Sequence, residues 1–179
     1  NMPYSISEPL FLKLIKERKH MFDLAVMVLS ESFVKKMTAP INSPLFGLVS
    51  ALFMSFYSVE VIAALPKELI NPPPRVVSLC VRIVPKASAP QKDRAGFIMQ
   101  RVFLYDNKKL KNILLETLWD YGHELAGRKL TKKDADSFIE EIFGKDFKQL
   151  LGKRVADFSN DDFNNIVSSL LQWSSRLQV

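Results

Sequence analysis

Between Leu45 and Leu65 the chain carries a single charge, Glu60. A run this apolar must be buried somewhere, and it is long enough to be a transmembrane candidate. Three features argue against a span. Gly47, Ser50, Ser55 and Ser58 interrupt the run. Glu60 would cost several kcal/mol unpaired in a bilayer. The flanks lack dense Lys/Arg anchors. Ser43-Pro44 supplies an N-cap followed by proline at the first helical position, and Pro66 marks the end. Gly47, Ser50 and Ser58 project to one side of a helix, where small residues let a neighbour approach. The run therefore predicts the central buried helix of a soluble bundle, with no stable membrane span.

The preceding segment has the same character. Asn1 reads as a residue ahead of a native Met2 start and is set aside. Ser7-Glu8-Pro9 is a helix start. From Leu10 to Phe33 the apolar residues keep a 3.6-residue period. This predicts one helix to about Met37, or two with a break near Arg18-Lys19-His20. The apolar run Leu10 to Ile15 is broken by Lys13 and stopped by Lys16, so it is no secretory leader. A single cysteine, Cys80, excludes an internal disulfide and argues for a reducing, cytoplasmic setting; it reads as a small apolar residue.

After the prolines at 72–74 the pattern changes. Arg75 to Val84 alternates, with Val77, Leu79, Val81 and Ile83 on one face and Ser78, Cys80 and Arg82 on the other, the pattern of a half-buried strand. Phe97 to Tyr105 reads as a second strand, joined to the first by a polar loop at 85–95. A lone two-stranded hairpin is unstable in water. It must lie on helices or have its edge covered, and an open edge is also a site for strand addition.

Beyond it, Asp106-Asn107 caps a helix to about Ala126, closed by Gly127. Thr131-Lys-Lys-Asp134 and Ser159-Asn-Asp-Asp162 are capping-box variants. They open helices over 132–143 and 160–178, with a short helix near Leu150 between them. The fold class that results is α+β, mainly α: a single helical-bundle-like domain (helical part 5–70, C-terminal helices 107–178) with one inserted antiparallel β-hairpin at 75–105.

The charge is concentrated. The chain carries a formal net charge of +6. Residues 75–111 alone hold nine basic side chains against two acidic ones. Such a concentration attracts anionic partners. Arg82, Lys86, Lys92, Arg94, Arg101, Lys108, Lys109 and Lys111 are therefore the candidate anion-binding residues. Lys108, Lys109 and Lys111 stand at a helix start, where the dipole disfavours cations, which hints that their charge has a use.

No motif specifies a chemistry. There is no glycine-rich phosphate loop, no G-x-S-x-G and no zincin pair, so no cofactor is indicated. Asp157, Ser159 and Asp161 open like a calcium loop but lack the glycine and the closing glutamate. Asp120, His123 and Glu124 could share a helix face, yet would need a further ligand to hold a metal. No catalytic or metal site is assigned. The 13 Phe and 6 Met suit an adaptable interface. The leading expectation is thus a non-enzymatic protein-binding subunit, adaptor or chaperone-like factor, partnered by another protein or by itself. The alternative is a nucleic-acid-binding protein using the basic segment 75–111.

Overall fold

The structure is a computed structural model that describes residues 3–16, 22–71, 73–86, 93–144 and 147–176. The chain forms two compact units, residues 1–87 and 88–179.

The first unit runs α1 (Ser7–Lys16), β1 (Ala25–Ser30), α2 (Glu31–Met37), α3 (Leu48–Phe56), β2 (Tyr57–Leu65) and β3 (Ser78–Pro85). The three strands form one sheet in the order β1-β3-β2, and β3 pairs antiparallel with both neighbours. Val81 sits opposite Met27 on one side and Val61 on the other. The register shifts between Val61 and Ala63, a bulge of the kind that bends an edge strand. Leu29, Val81 and Ile83 are fully buried on the core face. On the edge strands Val26, Val61 and Ile62 remain exposed.

This sheet overturns the expectation of a helical bundle with one inserted hairpin. The run 45–65 is not one helix. It changes to strand at Tyr57, where Tyr-Ser-Val-Glu-Val begins to alternate and β-branched residues favour the pleated surface. The same holds at 25–30: Ala25, Met27 and Leu29 fit a period of 2 as well as one of 3.6. The expected hairpin partner, 97–105, is instead the helix α4. An apolar run of that length does not separate strand from helix by periodicity alone. Its N-cap decides the matter, because the Asp93 side chain accepts a hydrogen bond from the Gly96 amide at 2.8 Å. The break expected near Arg18-Lys19-His20 and much of the loop at 85–95 lie outside the described residues.

An aromatic cluster holds the helices on the sheet. Phe11 of α1 meets Phe53 of α3 at 4.8 Å and Tyr57 of β2 at 5.5 Å, and Phe33 of α2 meets Phe53 at 6.1 Å, centroid to centroid. Ser50, in the small-residue stripe, donates to the Lys36 carbonyl at 2.7 Å and so ties α3 to the end of α2. Among the described residues no helix is long and apolar enough to cross a membrane.

The second unit is helical: α4 (Arg94–Leu104), α5 (Leu110–Asp120), α6 (Gly122–Ala126), α7 (Lys132–Phe143), α8 (Lys148–Gly152) and α9 (Asn160–Arg176). α5 packs against α4, α6, α7 and α8, and α9 against α4 and α7. Leu110, Leu114, Leu118, Ile166 and Leu170 are fully buried between them. Both capping boxes form. The Thr131 hydroxyl accepts from the Asp134 amide, and the Asp134 carboxylate accepts from the Thr131 amide and hydroxyl. Those bonds hold the Asp134 carboxyl below the usual carboxylate range. Ser159 and Asp162 bond in the same reciprocal way, so the calcium-like spacing serves a helix start. Gly127, at φ 71°, ends α6 in the left-handed region that glycine enters without strain.

Two outcomes follow for the first unit. Phe11→Ala should destabilise it by about 3–5 kcal/mol, read from the urea midpoint. Burial raises the Tyr57 hydroxyl from its ordinary value of 10.0 to about 12. The neutral phenol is favoured by folding, so its contribution is complete below pH 10 and is lost as the pH rises toward 12. Tyr57→Phe should flatten the alkaline decline of stability measured by urea melts between those two pH values.

Candidate functional site

The eight candidate cations fall on both units. Arg82 and Lys86 belong to the first; Arg94, Arg101, Lys108, Lys109 and Lys111 belong to the second; Lys92 lies outside the described residues. Most have been given partners by the fold. Arg82 pairs with Glu60 across the sheet at 3.5 Å. Arg101 pairs with Asp120 at 3.9 Å, Lys108 with Glu116 at 2.6 Å and Lys111 with Asp136 at 2.8 Å. All four carboxylates come from outside 75–111, so a local count of charge could not include them. The Lys86 ammonium donates to the Met54 carbonyl at 2.6 Å. Lys109, the residue just before α5, is exposed and has no carboxylate partner among the described residues.

Arg101 is a packed residue. Its guanidinium lies 4.8 Å from the Tyr105 ring centre and 5.3 Å from that of Tyr121, with only 15% of its side chain exposed. Lys108 approaches Tyr105 at 5.0 Å. Tyr121 in turn meets Phe97 at 4.8 Å. This cation–π cluster fastens α4 to the turn between α5 and α6. The constellation Asp120, His123 and Glu124 does not converge on a ligand. Asp120 faces Arg101, and His123 is exposed on α6. Among the described residues no group of three His, Cys, Asp or Glu side chains could hold a metal. Cys80 is a free, half-buried thiol on β3.

Two clefts stand out, one on each unit. In the first unit, a cleft of about 380 Å³ is lined by Tyr4, Ser5, Glu8, Ser30, Ser32 and Lys36, with Pro9, Leu12 and Phe33 behind them. Tyr4 and Ser78 share a hydrogen bond that ties the chain ahead of α1 to β3. Ser30, at the carboxyl end of β1, caps α2 by accepting from the Phe33 amide at 3.3 Å. Glu8 and Lys36 face each other at 3.6 Å. Tyr4 and Ser5 are not among the candidates drawn from the sequence. The signal passed over was an aromatic beside several hydroxyls just ahead of Pro9.

In the second unit, a cleft of about 470 Å³ lies between α5, α7 and α8. Lys109, Lys111, Asn112, Asp136, Glu140 and Lys148 reach it, over an apolar wall of Ile139 and Leu151. Sequence reading found Lys109 and Lys111 here and missed Lys148, which lies in another helix.

Comparison with known proteins adds the following. The family model described as ribosomal RNA adenine dimethylase matches residues 1–141. The chain is 29% identical over 163 residues to a probable ribosomal RNA small subunit methyltransferase A of Methanococcoides burtonii, covering 89% of this chain and 57% of that one. It is 27% identical over 164 residues to the corresponding protein of Methanopyrus kandleri, covering 89% and 56%. The solved structure of a dimethyladenosine transferase from Plasmodium falciparum is 21% identical, with a TM-score of 0.48, covering 98% of this chain and 65% of that one. The chain thus spans about half the length of the curated relatives it matches. These matches overturn the expectation of a non-enzymatic adaptor or chaperone-like factor. The relatives named here are methyltransferases.

The Arg101 cluster has a direct test. Arg101→Lys keeps the charge but loses the planar group that lies against two rings. It should lower stability by about 1–2 kcal/mol in urea melts.

Proposed function

The chain belongs to the ribosomal RNA adenine dimethylase family, and from that premise we propose that it works in methyl transfer to an adenine of ribosomal RNA. The match over residues 1–141 carries this reading. The anionic partner that the basic segment called for is then RNA.

Enzymes that act on a base take it out of the stack and hold it by aromatic contact and by hydrogen bonds to its edge. The cleft of the first unit suits that task. Tyr4 offers a half-buried ring, and Ser5 and Ser32 offer hydroxyls that can donate or accept. The Glu8–Lys36 pair closes one side with opposite charges, leaving the cleft near neutral for a neutral base.

Methylation also needs an activated methyl donor, which supplies the electrophilic carbon. Donors with nucleoside character are commonly held where a glycine-rich turn joins a strand to a helix. The described residues do not fit such a site. The β1–α2 junction is Ser30-Glu31, and Gly47 is the only glycine of the first unit.

RNA binding rests on cations. Ion pairs as exposed as Lys108–Glu116 and Lys111–Asp136 contribute little to stability. Phosphates can compete for these lysines, while Lys109 is available from the start. Arg82, Lys86, Lys92 and Arg94 remain proposed contacts of the same kind.

Deletion of the gene should abolish dimethyladenine at a ribosomal RNA position, read by mass spectrometry of RNA fragments; an unchanged pattern would overturn the reading. The purified chain should bind a small-subunit RNA fragment with an affinity that falls steeply with salt. Lys109→Ala should reduce the slope of log K against log salt by about 0.7, the value for one single-strand phosphate contact. Glu116→Gln, which releases Lys108, should tighten binding.

A further inference from the structure

We propose that the cleft between α5, α7 and α8 of the second unit holds one nucleotide of single-stranded RNA, one whose base carries an exocyclic amine. This rests on the RNA reading above and adds a second contact point, separate from the cleft of the first unit.

The chemistry of the lining carries the argument. Lys111 and Asp136 neutralise each other at 2.8 Å. Once that pair is set aside, Lys109 and Lys148 remain as two cations without a carboxylate partner among the described residues. They reach the cleft from the start of α5 and from α8, so a phosphate between them would meet positive charge from both elements. Glu140 remains as a carboxylate without a cation partner, and the Asn112 side chain has no hydrogen bond among the described residues. A carboxylate accepts from an amine such as the N4 of cytosine, and an asparagine amide matches the N6 and N7 of adenine. Uracil has no exocyclic amine and offers Glu140 only its N3–H, flanked by two carbonyl oxygens that the carboxylate repels. Leu151, half-buried over the buried Ile139, supplies an apolar surface on which a base can lie. The volume of about 470 Å³ falls within the range of small-molecule sites. Lys148 lies beyond residue 141, where the match to the family model ends.

The test is calorimetric titration of the whole chain with AMP, UMP and inorganic phosphate, and with a single-stranded adenine hexaribonucleotide. AMP should bind more tightly than UMP, and the hexaribonucleotide should displace AMP. Lys109→Ala and Lys148→Ala should each weaken AMP by about tenfold, the loss of one charge-assisted contact. Glu140→Gln should narrow the preference for AMP over UMP without weakening phosphate binding. Equal binding of AMP and UMP, or unaltered AMP binding by the doubly substituted Lys109→Ala, Lys148→Ala protein, overturns the proposal. A hexaribonucleotide that fails to displace AMP overturns RNA as the source of the nucleotide. These readings do not depend on methyl transfer, so they separate failure of this cleft from failure of the proposed function.

Discussion

A central strand needs partners on both of its edges, and β3 imposes that requirement on everything before it. Its backbone groups are satisfied only if two other segments lie extended beside it. The segments that do so, 25–30 and 57–65, both carry apolar spacing that a helix could also use. The ladder settles their conformation. Once β1 and β2 flank β3, one face of the sheet is a continuous apolar surface, and Phe11, Phe33, Phe53 and Tyr57 close over it. The cleft with Tyr4 follows from this arrangement, because β3 holds Tyr4 through Ser78 and β1 delivers Ser30 to the start of α2.

Charge tells a parallel story. The excess of cations at 75–111 is real as composition, but the fold offsets much of it with Glu60, Glu116, Asp120 and Asp136. Each of those acids lies more than a helical turn from its partner in sequence, and most of the pairs are exposed and exchangeable. Arg101 is the exception, held in place by two tyrosines. What results is a surface whose lysines can be released to phosphates, with Lys109 and Lys148 available at once.

Legibility followed the range of the interactions. β3 was readable because its alternation is strict, and α7, α8 and α9 because their ends are written locally: Thr131 with Asp134, Gly144, Gly152, Ser159 with Asp162. β1 and β2 were not readable, since their state depends on pairing with the distant β3; α4 was missed because its local cap, Asp93 on the Gly96 amide, was passed over. The hairpin expected at 75–105 failed for that reason: β3 has two partners, and neither is 97–105. The candidate site was legible in part. Its cations could be picked from the sequence, but not which of them the fold would pair, nor that Lys148 would join Lys109. The enzymatic character was not legible, because no residue pattern weighed in the sequence named a chemistry.

The two proposed contacts are a base at the Tyr4 cleft of the first unit and one nucleotide at the α5–α7–α8 cleft of the second. Photocrosslinking of the chain to small-subunit ribosomal RNA, with the crosslinked peptides identified by mass spectrometry, tests them most directly. Crosslinks are expected in peptides containing Tyr4 and in those containing Lys109 or Lys148, suppressed by unlabelled ribosomal RNA. Crosslinks confined to other surfaces, or none above those made with an unrelated duplex DNA, would contradict them.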